Sequence, residues 1–197
     1  HSQKKFVNGL FKSLRVMVDT WAPILEWSNL PSHFTVFLIH RPTNLSSTSL
    51  TKATCINYLR EEMGLTGSHL GCEHGVCGAC QVMVDGQVVR GCLTLAIQAD
   101  GKHVQTIEGL TENRELQKLQ AAFLKHNAFQ CGFCSAGMLL TALDITQHHK
   151  NASREEIKEL ISGNYCRCTG YQAIVDAIES VLHANLSSTS TQSGVKV

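Results

Sequence analysis

Residues 71–80 read Gly-Cys-Glu-His-Gly-Val-Cys-Gly-Ala-Cys, which places three cysteines and three glycines within ten positions. A fourth cysteine follows after eleven residues, so the spacing is C-x4-C-x2-C-x11-C over Cys72, Cys77, Cys80 and Cys92. Four thiolates at this spacing are the ligands that a plant-type two-iron, two-sulfur cluster requires. Interleaved glycines let the backbone wrap closely around such a cluster and point N–H groups at its sulfurs. This first cysteine set therefore predicts a ferredoxin-like loop domain.

A zinc ion is the alternative occupant of the first set. Zinc sites more often use paired C-x2-C units and do not need three ligands in one glycine-rich loop. His69 and His74 flank the set, but a Rieske-type centre replaces two cysteines with histidines, and four cysteines are already present. The spacing favours iron and sulfur, and zinc remains the open alternative.

A second cysteine set has the spacing C-x2-C-x31-C-x1-C over Cys131, Cys134, Cys166 and Cys168. Taken alone, these two separated pairs would suit zinc as well as an iron–sulfur cluster. The first set makes a second cluster, and with it an electron-transfer function, the favoured interpretation. Of the nine cysteines only Cys55 remains, and we expect it to be a free thiol.

The residues around the first set predict a small β-rich domain. Residues 82–89 carry β-branched side chains on both sides of an Asp85-Gly86 pair, which is a strong signal for a two-residue hairpin turn. Residues 103–107 predict a further strand, and a hinge follows at Glu108-Gly109.

After this hinge the apolar residues recur at helical spacing. The predicted helices are residues 112–127, 138–148, 157–161 and 172–183. A capping box of Ser153 and Glu156 opens the third of them. The second cysteine set lies in the connections between these helices, and antiparallel neighbours can bring two connections to the same end of a bundle.

These patterns together predict an α+β protein of two domains. The first domain covers residues 1–108 and the helical domain covers residues 109–184. Residues 185–197 are rich in Ser and Thr and predict a disordered tail.

Composition and motifs exclude several functions. The 17 Lys and Arg residues nearly balance 16 Asp and Glu residues, and a net charge of +1 argues against nucleic-acid binding. No apolar run approaches the ~18 residues that a membrane span needs.

No nucleotide-binding loop or hydrolase motif is present, so we expect no catalytic residue in this chain. Abundant thiols without an export signal predict a reducing, cytoplasmic setting.

Five segments carry a family resemblance. They are residues 65–80, residues 91–92 (Gly-Cys), residues 106–109 (Thr-Ile-Glu-Gly), residues 130–138 (Gln-Cys-Gly-Phe-Cys-Ser-Ala-Gly-Met) and residues 163–171 (Gly-Asn-Tyr-Cys-Arg-Cys-Thr-Gly-Tyr). On these motifs, residues 57–184 resemble the small iron–sulfur subunit of the xanthine oxidase family of molybdenum hydroxylases. That family includes the small subunits of carbon monoxide dehydrogenase and of aldehyde and N-heterocycle dehydrogenases.

The resemblance implies both the fold and the cofactors. It implies a plant-type ferredoxin-like β-grasp domain followed by an α-helical, four-helix domain, each of which holds one 2Fe-2S cluster. The first cysteine set would bind the first cluster and the second set the second cluster.

The resemblance also implies two partner proteins. A large subunit carries the molybdopterin cofactor, and a medium subunit carries FAD. Electrons are expected to leave the molybdenum centre through the second cluster and to pass through the first cluster to the flavin. In the family the glutamine before the Cys-Gly-Phe-Cys motif contacts the pterin, so Gln130 is the expected contact here. The alternative function is a zinc-stabilised interaction module without a redox role.

The N-terminal region departs from the family pattern. Residues 7–9 (Val-Asn-Gly), 18–19 (Val-Asp) and 23–25 (Pro-Ile-Leu) fit the strand, return strand and helix start with which members begin. Members then continue directly into a Leu-Arg-Glu helix, whereas residues 28–56 intervene here, and we predict that they are an insertion. Alternatively, residues 34–36 form the true first strand. A third possibility is a degenerate copy, in which the insertion prevents the ferredoxin domain from folding.

Overall fold

The structure is a computed structural model of the 197-residue chain and describes residues 37–38 and 53–191. The predicted N-terminal elements at residues 7–9, 18–19 and 23–25 lie outside the described residues. Within the described part, a small sheet is followed by a series of helices, in agreement with the α+β class.

The four described strands form one antiparallel sheet. They are β1 (Phe37–Leu38), β2 (Gln81–Val84), β3 (Gln87–Arg90) and β4 (His103–Gln105), in the order β1-β4-β2-β3. The β2–β3 hairpin confirms the predicted turn, with Val82 opposite Val89. Asp85 and Gly86 have φ values of 49° and 81°, and a turn with two left-handed residues matches the twist of the flanking strands.

The two faces of β2 pack against different parts of the chain, because successive side chains point to opposite sides of a strand. Val82 and Val84 belong to an apolar cluster with helix α1 (Cys55–Asn57) and the π-helical turn Tyr58–Glu62 that continues it. Met83 belongs instead to the larger apolar cluster of the helical half. The sheet therefore lies between α1 and the helices that follow.

Four helices follow the sheet in the predicted order. They are α2 (Arg114–Lys125), α3 (Ser135–His148), α4 (Arg154–Leu160) and α5 (Gln172–Thr191). Asn113 caps α2, since its Oδ1 accepts from the N–H of Glu115 at 2.9 Å. The capping box of α4 is confirmed, with Ser153 Oγ accepting from the Glu156 N–H at 3.3 Å and Glu156 Oε2 accepting from the Ser153 N–H at 2.7 Å.

The helices enclose one apolar core. Leu116 and Leu119 of α2, Met138 and Leu143 of α3, and Ile178 of α5 are all fully buried. Each such side chain stabilises the fold by about 1.5–3 kcal/mol. Within residues 53–191 no helix has both the length and the apolar character that crossing a membrane requires.

The predicted insertion at residues 28–56 is wrong at its C-terminal end. Cys55 and Ile56 are fully buried, and their N–H groups donate to the carbonyl oxygens of Thr94 at 2.7 Å and Gly91 at 3.1 Å. These residues begin the helix that packs on the sheet, so they belong to the domain. Part of residues 34–39 also pairs in the sheet, because β1 lies beside β4. This pairing counts against a simple insertion.

The predicted disordered tail at residues 185–197 also differs from the structure, in which α5 continues to Thr191. Asn185 explains why the helix does not end at the Ser/Thr-rich segment. Its Nδ2 donates to Glu115 Oε2 at 3.1 Å, and its Oδ1 accepts from Lys118 Nζ at 3.1 Å. These bonds to α2 hold the helix where the composition indicated disorder, and residues 192–197 lie outside the described part.

Candidate metal centres

The first cysteine set lies in the loop before β2 and in the turn after β3. Cys80 and Cys92 are buried, with exposed fractions of 1% and 6%, whereas Cys72 and Cys77 are half-buried. Gly75 lies between them with a φ of 83°, and a Cβ there would overlap the side chain of Leu93. Only glycine combines this backbone conformation with so close a neighbour.

Backbone N–H groups surround the sulfur of Cys72. Those of Val76 and Cys77 each donate to Cys72 Sγ at 3.3 Å. Hydrogen bonds from the backbone of Cys77 and of His74 lower the pKa of Cys72 to about 6. A hydrogen bond to a charged form favours that form, so this loop stabilises the thiolate of Cys72, which is the form of a cysteine that binds metals.

The remaining two sulfurs of the first set form a buried pair. Burial, together with a hydrogen bond to Cys80 and its charge, raises the pKa of Cys92 to about 11. A bound metal cation reverses this effect, because a coordinating thiol loses its proton outright. The set therefore consists of an outer pair, Cys72 and Cys77, and an inner pair, Cys80 and Cys92.

The second cysteine set is assembled from two helix connections. Cys134 is the N-cap of α3, and Cys166 and Cys168 lie between α4 and α5. Cys168 Sγ lies 3.6 Å from Cys131 Sγ, and Cys134 is hydrogen-bonded to Cys166. Each pair thus takes one cysteine from each connection, as expected from antiparallel helices.

The pKa values differ across the second set. Burial, with a hydrogen bond to Cys166, raises the pKa of Cys134 to about 12. Burial acts in the same direction on Cys166, but hydrogen bonds to its sulfur outweigh it and lower the pKa. The Thr169 hydroxyl supplies one of them at 3.0 Å, and the Thr169 N–H supplies another at 3.4 Å. These hydrogen bonds therefore favour the thiolate form of Cys166, whereas burial disfavours that of Cys134.

The paired arrangement fits a two-iron cluster, in which each iron takes two protein ligands. Within residues 37–38 and 53–191, no three or more His, Cys, Asp or Glu side chains converge on the position of a single metal ion. The sulfurs instead lie in pairs. N–H and O–H groups donate to the sulfurs of Cys72 and Cys166. The donor chemistry of both sets therefore fits the iron–sulfur groups that their spacing indicated.

Gln130 is exposed at the start of the second set. Its Nε2 donates to the carbonyl oxygen of Cys168 at 3.0 Å, so the side chain spans the two connections that carry the cysteines. Its expected contact with a pterin involves a partner protein and stays a prediction.

Sequence patterns gave no indication of the contacts between the two sets. The His69 ring stacks on Phe133 with the ring centroids 4.6 Å apart, and His69 Nδ1 lies 2.9 Å from the Phe133 carbonyl oxygen. Phe133 lies between Cys131 and Cys134, so this contact joins the two cysteine loops. A second contact between the sheet and the helices, called the joint below, consists of three side chains that touch one another: Gln81, Thr141 and Asn164. The only signal for it was a glutamine at a core-facing strand position.

Comparisons with known families agree with this geometry. Residues 46–109 match a family described as a 2Fe-2S iron-sulfur cluster binding domain, and residues 106–179 match one described as a 2Fe-2S binding domain. The first match contains the first cysteine set, and the second match contains the second set. These matches support iron–sulfur binding and not the zinc-stabilised module. The first match begins at residue 46, inside the predicted insertion.

Curated relatives and solved structures identify the family. The chain is 50% identical over 127 residues to the nicotine 6-hydroxylase small subunit of Paenarthrobacter nicotinovorans, covering 64% of this chain and 76% of that relative. It is 52% identical over 128 residues to the caffeine dehydrogenase subunit gamma of Pseudomonas sp. (strain CBB1), covering 64% and 77%. The chain belongs to the small iron–sulfur subunits of the molybdenum hydroxylases. The predicted family is thereby confirmed.

The solved structures place this small iron–sulfur subunit in the same fold. Quinoline 2-oxidoreductase from Pseudomonas putida 86 matches with a TM-score of 0.64 at 48% identity, covering 70% of this chain and 86% of that chain. The aldehyde oxidoreductase from Desulfovibrio gigas matches with a TM-score of 0.62 at 39% identity, covering 70% of this chain and 16% of that chain. The small subunit thus corresponds to one part of that longer protein.

Proposed function

We propose that this chain carries electrons between two partner subunits of a molybdenum hydroxylase through two 2Fe-2S clusters. Cys72, Cys77, Cys80 and Cys92 hold the first cluster, and Cys131, Cys134, Cys166 and Cys168 hold the second. The observation that carries the proposal is the arrangement of these eight cysteines as four sulfur pairs, two in each set.

A bound 2Fe-2S cluster takes up and releases one electron at a time. The residues of this chain hold each cluster, supply hydrogen bonds to its sulfurs and control its access to water. Such hydrogen bonds and burial set the reduction potential of an iron–sulfur centre. We assign the chemistry on the substrate to a partner, because the sequence predicts no catalytic residue in this chain.

The partners are a large subunit with molybdopterin and a medium subunit with FAD. The second set is the better candidate for electron entry, because Cys131 and Cys168 are exposed and lie beside Gln130. Gln130 then contacts the pterin of the large subunit. Electrons continue through the first cluster to the flavin of the medium subunit. The large subunit binds the substrate, so its identity is determined outside this chain.

The finer features of the fold belong to the same proposal. The first domain, up to residue 108, is a ferredoxin-like β-grasp domain, and residues from 109 onward form a four-helix domain. The complex works in the cytoplasm. We propose that both domains hold a cluster, and the support is a buried apolar cluster on each side of the sheet and two sets of four cysteines.

Serine variants of the cysteines test the proposal. In the purified complex, we expect two distinct electron paramagnetic resonance (EPR) signals from this subunit after reduction, and about four irons per small subunit. Cys77→Ser removes or alters the signal of the first cluster alone, and Cys134→Ser that of the second alone. Cys55→Ala is the matched control, because Cys55 is buried but belongs to neither set, and it keeps both signals. Stoichiometric zinc in the freshly purified complex would contradict the proposal.

A further inference from the structure

One backbone hydrogen bond joins the two cysteine sets. The N–H of Tyr165 donates to the carbonyl oxygen of Cys77 at 2.8 Å. Cys77 belongs to the first set, and Tyr165 immediately precedes Cys166 of the second set. A ligand residue of one cluster is thus connected to a ligand residue of the other through one hydrogen bond and a short run of covalent bonds.

Glycines allow the first loop to approach the helical domain this closely. A Cβ at Gly78 would lie 2.5 Å from Arg90 Nη1 and 2.7 Å from the carbonyl oxygen of Gly163. A Cβ at Gly137 of α3 would overlap the carbonyl oxygen of Gly78. The residue that follows Cys77 is therefore held between α3 and the segment that leads to Cys166, without room for a side chain.

Three buried polar side chains surround this close approach. Gln81 on β2, Thr141 on α3 and Asn164 before Tyr165 have exposed fractions of 7%, 8% and 2%. The Gln81 side-chain nitrogen donates to Thr141 Oγ1 at 2.8 Å, and the Thr141 hydroxyl donates to Asn164 Oδ1 at 3.0 Å. The three side chains thus bond one another across the joint between the two domains.

Two further contacts bind the same Gln81 amide to the residues around it. Its nitrogen also donates to the Gly137 carbonyl oxygen at 2.6 Å, and its oxygen accepts from Arg90 Nη1 at 3.0 Å. Arg90 Nη2 donates in addition to the Gly163 carbonyl oxygen at 2.7 Å. Strands β2 and β3 are therefore both bonded to the helical domain beside the second cysteine set.

The polar character of this joint needs an explanation beyond stability. Apolar side chains of the same shape can replace both partners of a buried hydrogen bond at little cost in stability. Hydrogen bonds are directional, so a satisfied network of them fixes one relative position of the segments that it joins. Apolar packing defines that position less strictly. Here the fixed segments are the ones that carry Cys77, Cys80 and Cys166.

We propose that Gln81, Thr141 and Asn164 are positioning residues for electron transfer between the two clusters, because they hold the Tyr165–Cys77 hydrogen bond in place. The inference rests on the proposed function. In the step, one electron leaves the reduced second cluster, which is oxidised, and reduces the first cluster; no proton moves. Electronic coupling decays less through bonds and short hydrogen bonds than across a van der Waals gap. A longer hydrogen bond between the Tyr165 N–H and the Cys77 carbonyl oxygen therefore slows electron transfer between the clusters.

The test is Thr141→Val in the complete enzyme complex, which removes the central hydroxyl and keeps the side-chain volume. Thr146→Val is the matched control, since Thr146 lies on the same helix with an exposed fraction of 5% and its Oγ1 donates within α3 to the Leu143 carbonyl oxygen at 2.8 Å. Rapid reduction followed by freeze-quench EPR measures the rate of electron transfer between the clusters. The magnetic interaction between the two reduced clusters is read from the same spectra.

We expect Thr141→Val to slow electron transfer between the clusters about tenfold and to change their magnetic interaction, with full iron content. Thr146→Val should behave as the wild type. Arg90→Met is a second variant for the case in which Thr141→Val does not fold, because Arg90 is only half-buried. For Arg90→Met we expect a slowing of about threefold.

Two outcomes overturn the inference. In one, the rate and the magnetic interaction stay at wild-type values in both Thr141→Val and Arg90→Met while the iron content is complete. In the other, Thr146→Val slows the transfer as much as Thr141→Val, which would indicate a general loosening of α3. Failure of the proposed function is distinguishable, because the wild-type complex itself would then lack two cluster signals, and the inference would fall with it.

Discussion

The two cysteine sets each provide four thiols, but they differ in sequence spacing and in exposure. The first set is nearly continuous in sequence, lies in a glycine-rich loop and encloses its inner pair, with Cys80 and Cys92 only 1% and 6% exposed. The second set is assembled from two distant connections at helix ends and leaves Cys131 and Cys168 exposed. The glycine-rich loop encloses half of its ligands within the chain, whereas the set at the helix ends leaves two of its ligands exposed.

The difference extends to the space around each loop. Gly78 in the first loop and Gly132 in the second have φ values of 76° and 81°. A Cβ at Gly78 would meet the helical domain, whereas a Cβ at Gly132 would have nothing within 4 Å. Gly78 is therefore packed against the rest of the chain, whereas Gly132 faces open space.

Alanine substitution should distinguish these two glycines by its cost in stability. Gly78→Ala adds a clash with Arg90 and Gly163 to the strain of a left-handed residue, and we expect a loss of about 3 kcal/mol in the free energy of unfolding. Gly132→Ala carries only the strain, about 1 kcal/mol. Urea denaturation of the cluster-containing chain measures both. Equal losses would contradict the difference in packing.

Removal of iron tests the difference in exposure. In the isolated small subunit, a chelator should remove the second cluster before the first, because two of its ligands are exposed. The decay of the two EPR signals with time measures the order of loss. Addition of the large subunit should protect the second cluster. Earlier loss of the first cluster would show that exposure does not govern stability here.

A smaller effect is expected at the aromatic contact between the loops. Phe133→Ala removes the stacking of Phe133 on His69, and we expect a cost of about 1 kcal/mol. The second cluster should also be lost faster to a chelator, while the first is unaffected. Leu160→Ala is the control, since Leu160 is a partly exposed apolar residue of α4 outside both sets. The same acceleration in Leu160→Ala would argue against a specific role for the stacking.

The smallest expected effect concerns the C-terminal extension of α5. A hydrogen bond from Lys118 lowers the pKa of Glu115, with a further contribution from Asn185, so the carboxylate stabilises the fold above its usual pKa. That contribution is lost as the pH falls through the lowered value. Glu115→Gln should cost under about 1 kcal/mol at neutral pH and increase amide hydrogen exchange near Asn185.

The matched control for this prediction is Glu155→Gln. Glu155 makes the same kind of pair three residues along a helix, with Lys158 at 3.7 Å. Glu155→Gln should leave amide hydrogen exchange near Asn185 unchanged. Faster exchange in both variants would mean that the end of α5 responds to charge in general rather than to Glu115.

The sequence predicted the features that depend on local chemistry. The Asp85-Gly86 turn, the capping box of Ser153 and Glu156, and the four helices follow from residues close together in the chain. The grouping of the cysteines also followed from spacing, because the glycine-rich loop of the first set is a local signature. The proposed ligand role of all eight cysteines goes beyond these contacts and stays a prediction.

The features that depend on distant contacts were missed. Cys55 and Ile56 follow a segment without Gly, Asp or Glu, and their burial and their backbone hydrogen bonds to Thr94 and Gly91 show that they belong to the domain. The end of α5 is held by bonds from Asn185 to α2, across 70 and 67 positions. The joint of Gln81, Thr141 and Asn164 combines three separate segments. Periodicity carries no information about such pairings.

In the proposed function, two sets of four cysteines hold two 2Fe-2S clusters. Mössbauer spectroscopy of the isotopically enriched small subunit, combined with metal quantification, tests this assignment. We expect about four irons per chain in two spectrally distinct two-iron centres, each with a localised ferric and ferrous site after reduction by one electron. A chain that contains zinc, or iron in single-ion sites, at either cysteine set would contradict the account.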